Sequence, residues 1–428
     1  MRYIDFIQKD YKPKLTDTIC RFYVERDTSS PLSLDEIIGG IAAESSTGTW
    51  AEVKTEKPYI KKLAAKVFSI KNVDNNSAMV NIAYPQELFE FGNIPNFMSS
   101  IAGNIFGLRD IKNLRLEDIN FPTAMMKKFK GPKFGIEGIR KLLKIKDRPL
   151  LGTIVKPKLG LSTKDHAQVA YNAWVGGCDI VKDDENLSSQ SFNKFENRLR
   201  ETLKARDKAE KLTGGKKMYM INITAETNEM LRRAKLAKNM GNEYVMVDIL
   251  TVGWSALQTL CKENEKIGLV IHAHRAGHAA FTRNSKHGIS MLVIAKLARL
   301  IGVDQLHIGT VVGKMEGPKE EVVALDQEME KELIRGGGTV LSESWKHIKP
   351  VFAVCSGGLH PGHVPALVKL LGKDIIIQMG GGIHAHPQGT IAGATAARRA
   401  IEATMKGIPL REYAKKYKEL EEALKKFS

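Results

Sequence analysis

Short apolar runs alternate with helix-like stretches through the last two-thirds of the chain. The apolar runs lie at residues 150–155, 179–181, 218–223, 244–249, 268–273, 305–308, 351–354 and 374–378. Stretches with helical patterning lie between most of them, at 165–175, 226–240, 289–301 and 387–405. Strands that alternate with helices predict a parallel sheet covered on both faces, and the number eight favours a closed (β/α)8 TIM barrel.

The first 125 residues or so have a different pattern, which predicts a separate α+β domain. Strands are predicted at 16–24, 49–54, 78–84 and 114–121, and helices at 32–43, 59–70 and 94–106. Two βαβ-like halves in one sheet, with the helices on one side, indicate a ferredoxin-like domain. We therefore predict an N-terminal α+β domain at 1–130, a barrel at 131–405 and a C-terminal helical tail at 406–428.

The composition favours a folded protein without a membrane span. The chain has 428 residues, 43% of them hydrophobic, which is enough for a substantial core and excludes wholesale disorder. The longest apolar stretch, near Met291, is interrupted by Lys296 and Arg299, so no membrane span is expected, and no signal-peptide core is evident. The cysteines are far apart and form no CxxC pair, which favours a reducing cytoplasm. They are Cys20, Cys178, Cys261 and Cys355.

The net charge of +17 raises the question of an anionic partner. Lys and Arg number 65 against 48 Asp and Glu. Such an excess attracts nucleic acid or steers a small polyanion to its site. Because the lysines are scattered among acidic residues and no aromatic-studded basic tract occurs, the pattern disfavours nucleic-acid binding.

Polar side chains are concentrated at the carboxyl ends of the predicted barrel strands. They are Lys156, Lys158, Lys182, Asp184, Glu185, Asn222, Thr224, Asp248, His272, His274, Arg275, His307 and Ser356. In a barrel these ends converge on one mouth, which is where such folds carry out chemistry. Core histidines or helix caps scattered along the chain would not be expected to occur repeatedly at the carboxyl ends of strands.

The end of the second barrel strand carries the most distinctive chemistry. In an extended chain Lys182 and Asp184 point the same way, and Glu185 lies just beyond them. Converging carboxylates are hard to bury without a cation, and their hard oxygens suit magnesium. A lysine ammonium cannot bind a metal, whereas an amine that has captured carbon dioxide as a carbamate presents oxygens. A surface lysine among acids is the alternative.

Glycines and histidines extend this picture around the mouth. Ser356-Gly357-Gly358 and the glycines at 380–382 let backbone N–H groups approach a phosphate closely, although tight turns are the alternative. His272 and His274 share one face of a strand and suit proton transfer better than zinc. The glycine-flanked lysine at 310–317 suits a closing loop or a plain surface loop. The polar turn at 44–50 could hold a phosphate, and it and the segment 103–107 could equally be caps or turns.

These motifs together resemble the large chain of ribulose-bisphosphate carboxylase/oxygenase (RuBisCO), in its archaeal type III form. The matching stretches are GTIVKPKLGL (152–161), GGCDIVKDDEN (176–186), HAHRAGH (272–278), HIGTVVGKMEG (307–317), SGGLH (356–360), QMGGGIHAHP (378–387), ESSTGTW (44–50) and GNIFG (103–107). The resemblance covers essentially the whole chain.

The resemblance implies an enzyme that adds carbon dioxide, or oxygen, to the enediolate of ribulose 1,5-bisphosphate, the carboxylation giving two 3-phosphoglycerate. It implies Mg²⁺ held by Lys182, as a carbamate formed with an activator CO2, together with Asp184 and Glu185. The implied catalytic residues are Lys156, Lys158, Lys182, His274 and Lys314. The implied substrate-binding residues are Glu44, Thr49, Trp50, Asn104, Lys156, Arg275, His307, Lys314, Ser356, Gly357, Gly358, Gln378, Gly380 and Gly381.

The same resemblance implies a homodimer or an assembly of dimers, without a small subunit, in which Glu44 and Asn104 act in the partner's site. It also implies that nucleotide breakdown supplies the substrate. Two departures stand out. Ile154 replaces a threonine common in the family, which leaves open one polar contact near the phosphate or the metal. Ile308 replaces a serine of the plant-type chains, which leaves the preference between CO2 and O2 open.

Three other functions fit parts of the pattern. A RuBisCO-like enolase or isomerase would act on another phosphorylated sugar, but such relatives usually lose several of the lysines that this chain keeps. A basic nucleic-acid-binding protein on an inactive barrel would use the net charge. A Schiff-base aldolase would use Lys156 or Lys182 as an amine nucleophile.

Overall fold

A computed structural model describes residues 2–51, 53–312 and 319–427 of the chain. The chain divides into two compact units. The first consists of residues 1–130, 277–300 and 331–348, and the second of residues 131–276, 301–330 and 349–428.

The described residues form the following strands and helices. The strands are β1 (Thr18–Arg26), β2 (Lys66–Asn72), β3 (Ser77–Tyr84), β4 (Ile111–Asn120), β5 (Leu150–Ile154), β6 (Ile180–Lys182), β7 (Met218–Asn222), β8 (Tyr244–Asp248), β9 (Val270–His274), β10 (Gly288–Ile289), β11 (Gln305–Gly309), β12 (Leu333–Ile334), β13 (Glu343–Ser344), β14 (Phe352–Ser356) and β15 (Ile375–Gln378). The helices are α1 (Leu34–Glu44), α2 (Ile94–Ile101), α3 (Thr123–Met126), α4 (Gly135–Leu143), α5 (Thr163–Val175), α6 (Phe195–Thr213), α7 (Thr227–Asn239), α8 (Ile249–Ile267), α9 (Ala279–Thr282), α10 (Met291–Ile301), α11 (Lys319–Glu330), α12 (Val364–Leu371), α13 (Gly381–His384), α14 (Gly389–Met405), α15 (Leu410–Ala414) and α16 (Lys418–Phe427).

The first unit is built on a sheet whose strand order, among the described residues, is β10-β4-β1-β3-β2. The pairs β1–β3, β1–β4 and β2–β3 are all antiparallel, and α1 and α2 connect strands that are not neighbours. This βαββαβ connectivity is the ferredoxin-like arrangement. The α+β prediction for the N-terminal part of the chain is therefore confirmed.

Two element predictions in this unit are wrong. The described residues of the stretch 49–54 form turns and bends rather than a strand, and residues 66–70 of the predicted helix 59–70 belong to β2. Only a short 3-10 helix, Pro58–Leu63, precedes β2. The segment becomes a strand because β3 supplies partners for six of its seven residues and Val67 is buried in the core, and this pairing overrides local helix preference.

The first unit also takes in two segments that the sequence pattern placed in the barrel range 131–405. Strand β10 pairs in parallel with β4, and the buried ammonium of Lys296 on α10 lies 2.8 Å from Asp118. Glu343 accepts a hydrogen bond from the backbone N–H of Phe121 at 3.1 Å. These long-range polar contacts explain why residues 277–300 and 331–348 pack with the N-terminal sheet.

Eight strands of the described residues close into a parallel barrel in the order β11-β14-β15-β5-β6-β7-β8-β9. Each strand lies within two residues of its predicted bounds, so the (β/α)8 prediction is confirmed. Inside the barrel, apolar side chains such as Leu150, Ile180 and Val270 form one core cluster with Ile136 and Ile139 of α4. This apolar filling lies below the carboxyl ends of the strands, where the polar residues are located.

The C-terminal residues 406–428 belong to the second unit. Helix α16 packs on α14 and buries Leu420 and Ala423. The Nε2 atom of His386 lies 2.9 Å from the carbonyl oxygen of Glu419 and ties this helix to the segment after β15. No helix in the described part of the chain is long and apolar enough to cross a membrane.

Candidate active site at the mouth of the barrel

The carboxyl ends of the barrel strands bring most of the predicted site residues to one face of the second unit. The residues in or just after these strand ends are Lys156 (β5), Lys182, Asp184 and Glu185 (β6), Asp248 (β8), His272, His274 and Arg275 (β9), His307 (β11), Ser356, Gly357 and Gly358 (β14), and Gln378, Gly380 and Gly381 (β15). Parallel strands in a closed barrel all end on the same side, so this clustering follows from the topology.

Lys182, the last residue of β6, has an unusual environment for a lysine. Only 1% of its surface is exposed. Its Nζ donates a hydrogen bond to the carbonyl oxygen of Asp183 at 2.9 Å and lies 3.2 Å from the sulfur of Met246. Burial lowers the pKa of Lys182, although the charges of Glu185 and Asp184 oppose the shift. The amine is therefore easier to deprotonate than an ordinary lysine, and only the neutral amine can add to carbon dioxide.

Asp184 presents a charged and well-held carboxylate beside this amine. Lys156 donates a hydrogen bond to Oδ2 at 2.7 Å, and the side-chain amide of Asn186 donates to Oδ1 at 3.1 Å. Burial raises the pKa of Asp184, but the hydrogen bond and charge of Lys156 outweigh it and hold the pKa below its ordinary value. Asp184 is thus an anion at neutral pH.

Asp183 explains why its two neighbours face the mouth. Its buried carboxylate accepts hydrogen bonds from Tyr219 Oη at 2.8 Å, Arg198 Nε at 3.0 Å and the backbone N–H of Asn222 at 3.0 Å. Because successive side chains of an extended segment alternate in direction, this anchor turns the residues on either side the other way. The sequence interpretation did not single out Asp183 or Arg198, although the same alternation could have indicated them.

His274 is oriented by a carboxylate in the manner of a proton-transfer group. Its Nδ1 lies 2.7 Å from Oδ1 of Asp248, and its Nε2 lies 3.7 Å from Oε2 of Glu185. Asp248 is in turn held by its backbone N–H, which donates to the hydroxyl of Thr224 at 2.9 Å. A carboxylate on Nδ1 leaves Nε2 available for exchange of a proton at the mouth.

A buried hydrogen-bond chain links the neighbouring strands β9, β11 and β14. His272 Nδ1 lies 2.8 Å from Gln305 Oε1, the Nε2 atoms of His272 and His307 are 2.8 Å apart, and His307 Nδ1 lies 2.7 Å from Ser356 Oγ. Burial lowers the pKa of both histidines well below its ordinary value, so both are neutral. Gln305 Oε1 accepts, so neutral His272 carries its hydrogen on Nδ1 and accepts at Nε2 from the Nε2–H of His307. His307 Nδ1 then accepts the hydroxyl hydrogen of Ser356.

Groups suited to bind phosphate surround the end of this chain. Arg275 is partly buried, and burial lowers its pKa to about 10, which leaves it a cation at neutral pH. Its guanidinium lies against Gly309, where an added Cβ would approach it to 2.8 Å. Gly357 and Gly358 have φ angles of 118° and 68°, a region that favours glycine. These glycines expose backbone where an anion could approach.

Gln378 is the predicted residue that most clearly lacks a protein partner. It is 1% exposed, and neither polar atom of its amide has a hydrogen-bond partner in the described structure. It occupies space next to Gly152, where an added Cβ would come within 2.9 Å of its Cγ. A buried amide without partners is costly unless a ligand or an ordered water satisfies it.

Other predicted residues are not brought to this cluster in the described structure. Lys158 is exposed to solvent, and Lys314 lies outside the described residues. Glu44, Thr49, Trp50 and Asn104 belong to the first unit. There, Tyr3 Oη donates to Oε1 of Glu44 at 3.0 Å, Thr49 lines a cavity of about 210 Å³, and Trp50 is 84% exposed.

The groups at the end of β6 fit a hard cation if the Lys182 amine becomes a carbamate. Among the described residues, no three His, Cys, Asp or Glu side chains converge closely enough to hold a metal ion. Asp184 and Glu185 both act electrostatically on the Lys182 amine, so the three groups are near neighbours. A carbamate on that amine would add the oxygens that two carboxylates alone do not supply.

Comparisons with known proteins agree with this architecture. The family described as ribulose bisphosphate carboxylase large chain matches with its catalytic domain at residues 135–427 and its N-terminal domain at residues 5–125. The ribulose bisphosphate carboxylase of Methanosarcina mazei is 52% identical over 427 residues, 99% of each chain. That of Methanocaldococcus jannaschii is 51% identical over 428 residues, 98% of this chain and 99% of the relative.

Solved structures give the same result. A dimeric archaeal Rubisco from Hyperthermus butylicus superposes with a TM-score of 0.94 at 48% identity, covering 100% of this chain and 99% of that chain. An octameric ribulose-1,5-bisphosphate carboxylase/oxygenase from Pyrococcus horikoshii, in complex with sulfate ion, has a TM-score of 0.93 at 46% identity, covering 100% of this chain and 97% of that one.

Proposed function

Because the chain belongs to the ribulose bisphosphate carboxylase large-chain family, we propose that its barrel mouth carboxylates ribulose 1,5-bisphosphate to two molecules of 3-phosphoglycerate. The observation that carries the proposal is the buried Lys182 amine, whose pKa burial lowers, beside the carboxylates of Asp184 and Glu185. The Nζ atom of Lys182 contacts a carbonyl oxygen and a thioether.

Lys182 as a carbamate formed with an activator CO2, Asp184 and Glu185 are the proposed ligands of Mg²⁺. The bound cation would supply Lewis acidity to the ketone oxygen of the substrate. The protein contributes a desolvated amine that is readily neutral and a carboxylate that stays ionised at neutral pH. Both properties follow from the burial and hydrogen bonds described above.

The basic residues around this centre supply proton transfer and charge stabilisation. His274, oriented by Asp248, transfers protons to and from the substrate through Nε2. Lys156 delivers the final proton, with Lys158 assisting it, after the carbon–carbon bond is cleaved. Lys314 closes over the carboxylate that forms and stabilises its charge.

Two sets of groups hold the two phosphates at opposite ends of the substrate. Arg275, His307 and Ser356 bind one phosphate through a guanidinium and hydrogen bonds. The backbone N–H groups of Gly358, Gly380 and Gly381 bind the other, and Thr49 and Trp50 are further proposed ligands of that phosphate. The buried amide of Gln378 gains a partner in the same site. Oxygen competes with CO2 for the same enediolate.

We propose a homodimer, or an assembly of dimers, without a small subunit. The dimeric and octameric archaeal relatives support this assignment. Glu44 and Asn104 then complete the partner's site. Native mass spectrometry would show even-numbered assemblies, and an active monomer would contradict the proposal. The cysteines, each buried as a free thiol, fit a reducing cytoplasm.

The decisive assay combines the protein with ribulose 1,5-bisphosphate, Mg²⁺ and ¹⁴C-bicarbonate. Labelled 3-phosphoglycerate is expected, and chelation of the metal should abolish it. Turnover of another phosphorylated sugar without incorporation of label would instead identify a RuBisCO-like enolase or isomerase. Irreversible labelling after borohydride reduction with substrate would identify a Schiff-base aldolase.

A further inference from the structure

We propose that His384 is a positioning residue for this reaction, which holds the end of β5, with Lys156, against the glycine segment that follows β15. The inference rests on the proposed function and extends it to a residue outside the set assigned from the motifs. His384 is the last residue of the short helix α13 and makes polar contacts in two directions.

Where the hydrogen-bonded ladder between β15 and β5 ends, the side chains of Thr153 and His384 link the two segments. Its last pairing joins Gln378 to Gly152, and the backbone N–H of Met379 donates to the carbonyl oxygen of Gly152 at 3.0 Å. Beyond this point the hydroxyl of Thr153 donates to the carbonyl oxygen of Met379 at 2.7 Å. The Nε2 of His384 then lies 2.9 Å from the carbonyl oxygen of Ile154 and 3.0 Å from Thr153 Oγ1. Side chains therefore continue the ladder by two residues.

The hydrogen bonds determine the state of the imidazole. A carbonyl oxygen only accepts, so Nε2 of His384 carries the hydrogen that Ile154 receives. Thr153 gives its own hydrogen to Met379 and accepts from the same Nε2–H. Nδ1, 3.0 Å from Thr390 Oγ1, then accepts the hydroxyl hydrogen of that residue. Burial lowers the pKa of His384 to about 4, so the ring is neutral at working pH.

The contacts of His384 lie next to both functional groups that it would align. Ile154 precedes Lys156 by two residues, and Met379 immediately precedes Gly380. Lys156 and this part of the chain are close, since a Cβ added to Gly380 would lie 3.4 Å from Cε of Lys156. Without the imidazole, the end of β5 keeps the bond from Thr153 to Met379 but loses its second cross-link, from Ile154 to the glycine segment. A small displacement at such a site is enough to slow the reaction strongly.

The test compares two polar substitutions of different reach. In His384→Gln the amide nitrogen reaches the place of Nε2 and can still donate to Ile154, whereas in His384→Asn it is too short. We expect His384→Asn to lower kcat/KM for ribulose bisphosphate by about 10- to 100-fold. Both a higher KM and a lower kcat are expected, because phosphate binding and proton delivery are both displaced. We expect His384→Gln to stay within about 3-fold of the unaltered enzyme, since its hydrogen bond is kept.

Amide hydrogen exchange provides a readout that does not depend on catalysis. The segment 379–386 should exchange faster in His384→Asn and at the original rate in His384→Gln. Thr404→Val, on the same unit but with its hydroxyl donating to Ala400 within α14, is the matched control and should change neither measurement. Equal behaviour of the Gln and Asn variants in kinetics and exchange would overturn the inference. An unaltered protein that fixes no carbon would overturn the proposed function, while the exchange data would still decide the role of His384.

Discussion

Replacing Lys182 with methionine should separate the catalytic role of this amine from its effect on stability. The side chain is 1% exposed, and its Nζ has a carbonyl oxygen and a thioether as its contacts. Two of the nearby acids have other partners, because Lys156 pairs with Asp184 and Arg198 with Asp183. Removing the amine therefore leaves these two carboxylates paired.

The magnitude follows from the cost of burying a charged or polar amine. Replacement of a buried ion pair by apolar groups of similar volume is often neutral or stabilising by about 1–4 kcal/mol, and removal of Lys182 should act in the same direction because Asp184 and Asp183 keep their own partners. We expect Lys182→Met to unfold at the same or a higher temperature than the unaltered protein. Carboxylation should fall by at least about 1,000-fold, because removal of a group that acts directly in catalysis typically costs that much.

Thermal unfolding and incorporation of ¹⁴C-bicarbonate measure the two effects on the same preparations. Lys217→Met is the matched control, since Lys217 is also buried in the second unit with a pKa lowered by burial, and its Nζ donates to the carbonyl oxygen of Cys178. The control should keep its carboxylase activity. The reasoning fails if Lys182→Met still fixes carbon within 10-fold of the original rate, or if it is destabilised by more than about 2 kcal/mol.

Three further substitutions test separate parts of the structure. Asp304 accepts three backbone N–H bonds, and burial raises its pKa from 3.8 to about 6. This group therefore loses stabilisation as pH rises from about 4 to about 6, by at most about 3 kcal/mol. In denaturation experiments the advantage of the original protein over Asp304→Asn should be larger at pH 4.5 than at pH 7.5, and an equal difference at both would contradict the assignment. Asp248→Asn should lower kcat by about 10- to 100-fold without loss of structure, because the amide no longer holds His274 in one orientation, and an unchanged kcat would exclude this role. Ser356→Ala should raise KM for ribulose bisphosphate by about 10-fold at nearly constant kcat, as expected for binding shared by ground and transition states, whereas a selective fall in kcat would place Ser356 in the chemical step.

The barrel was predictable because its evidence is local and repeated. Each strand is a short apolar run followed by polar residues, and eight such runs limit the arrangement to few topologies. The N-terminal domain was less predictable in detail. Residues 66–72 form a strand because β3 lies beside them, a partner that no local pattern identifies.

In the candidate site, too, groups that are adjacent in sequence were predictable and groups that are distant in sequence were not. Lys182 and Asp184 were identified from alternation at the end of one strand, and Glu185 from its place just beyond them, which are properties of adjacent residues. The outward anchor made by Asp183 with Arg198 and Tyr219 was missed, since its members are 15 and 36 residues from Asp183 along the chain. His384 was likewise recognised only once Ile154, 230 residues away, was seen to accept its hydrogen bond.

The amino-acid sequence by itself determined the class of fold, the family and the types of chemical group that reach the mouth of the barrel. Those properties depend on periodicity and on short motifs, which can be read directly from the order of the residues. Only the tertiary structure decided that the Lys182 amine is desolvated, that His272 and His307 are neutral, and that side chains continue the ladder from β5 to the glycine segment. Desolvation and hydrogen-bond direction depend on what surrounds a group in space, so they exist only after the chain has folded.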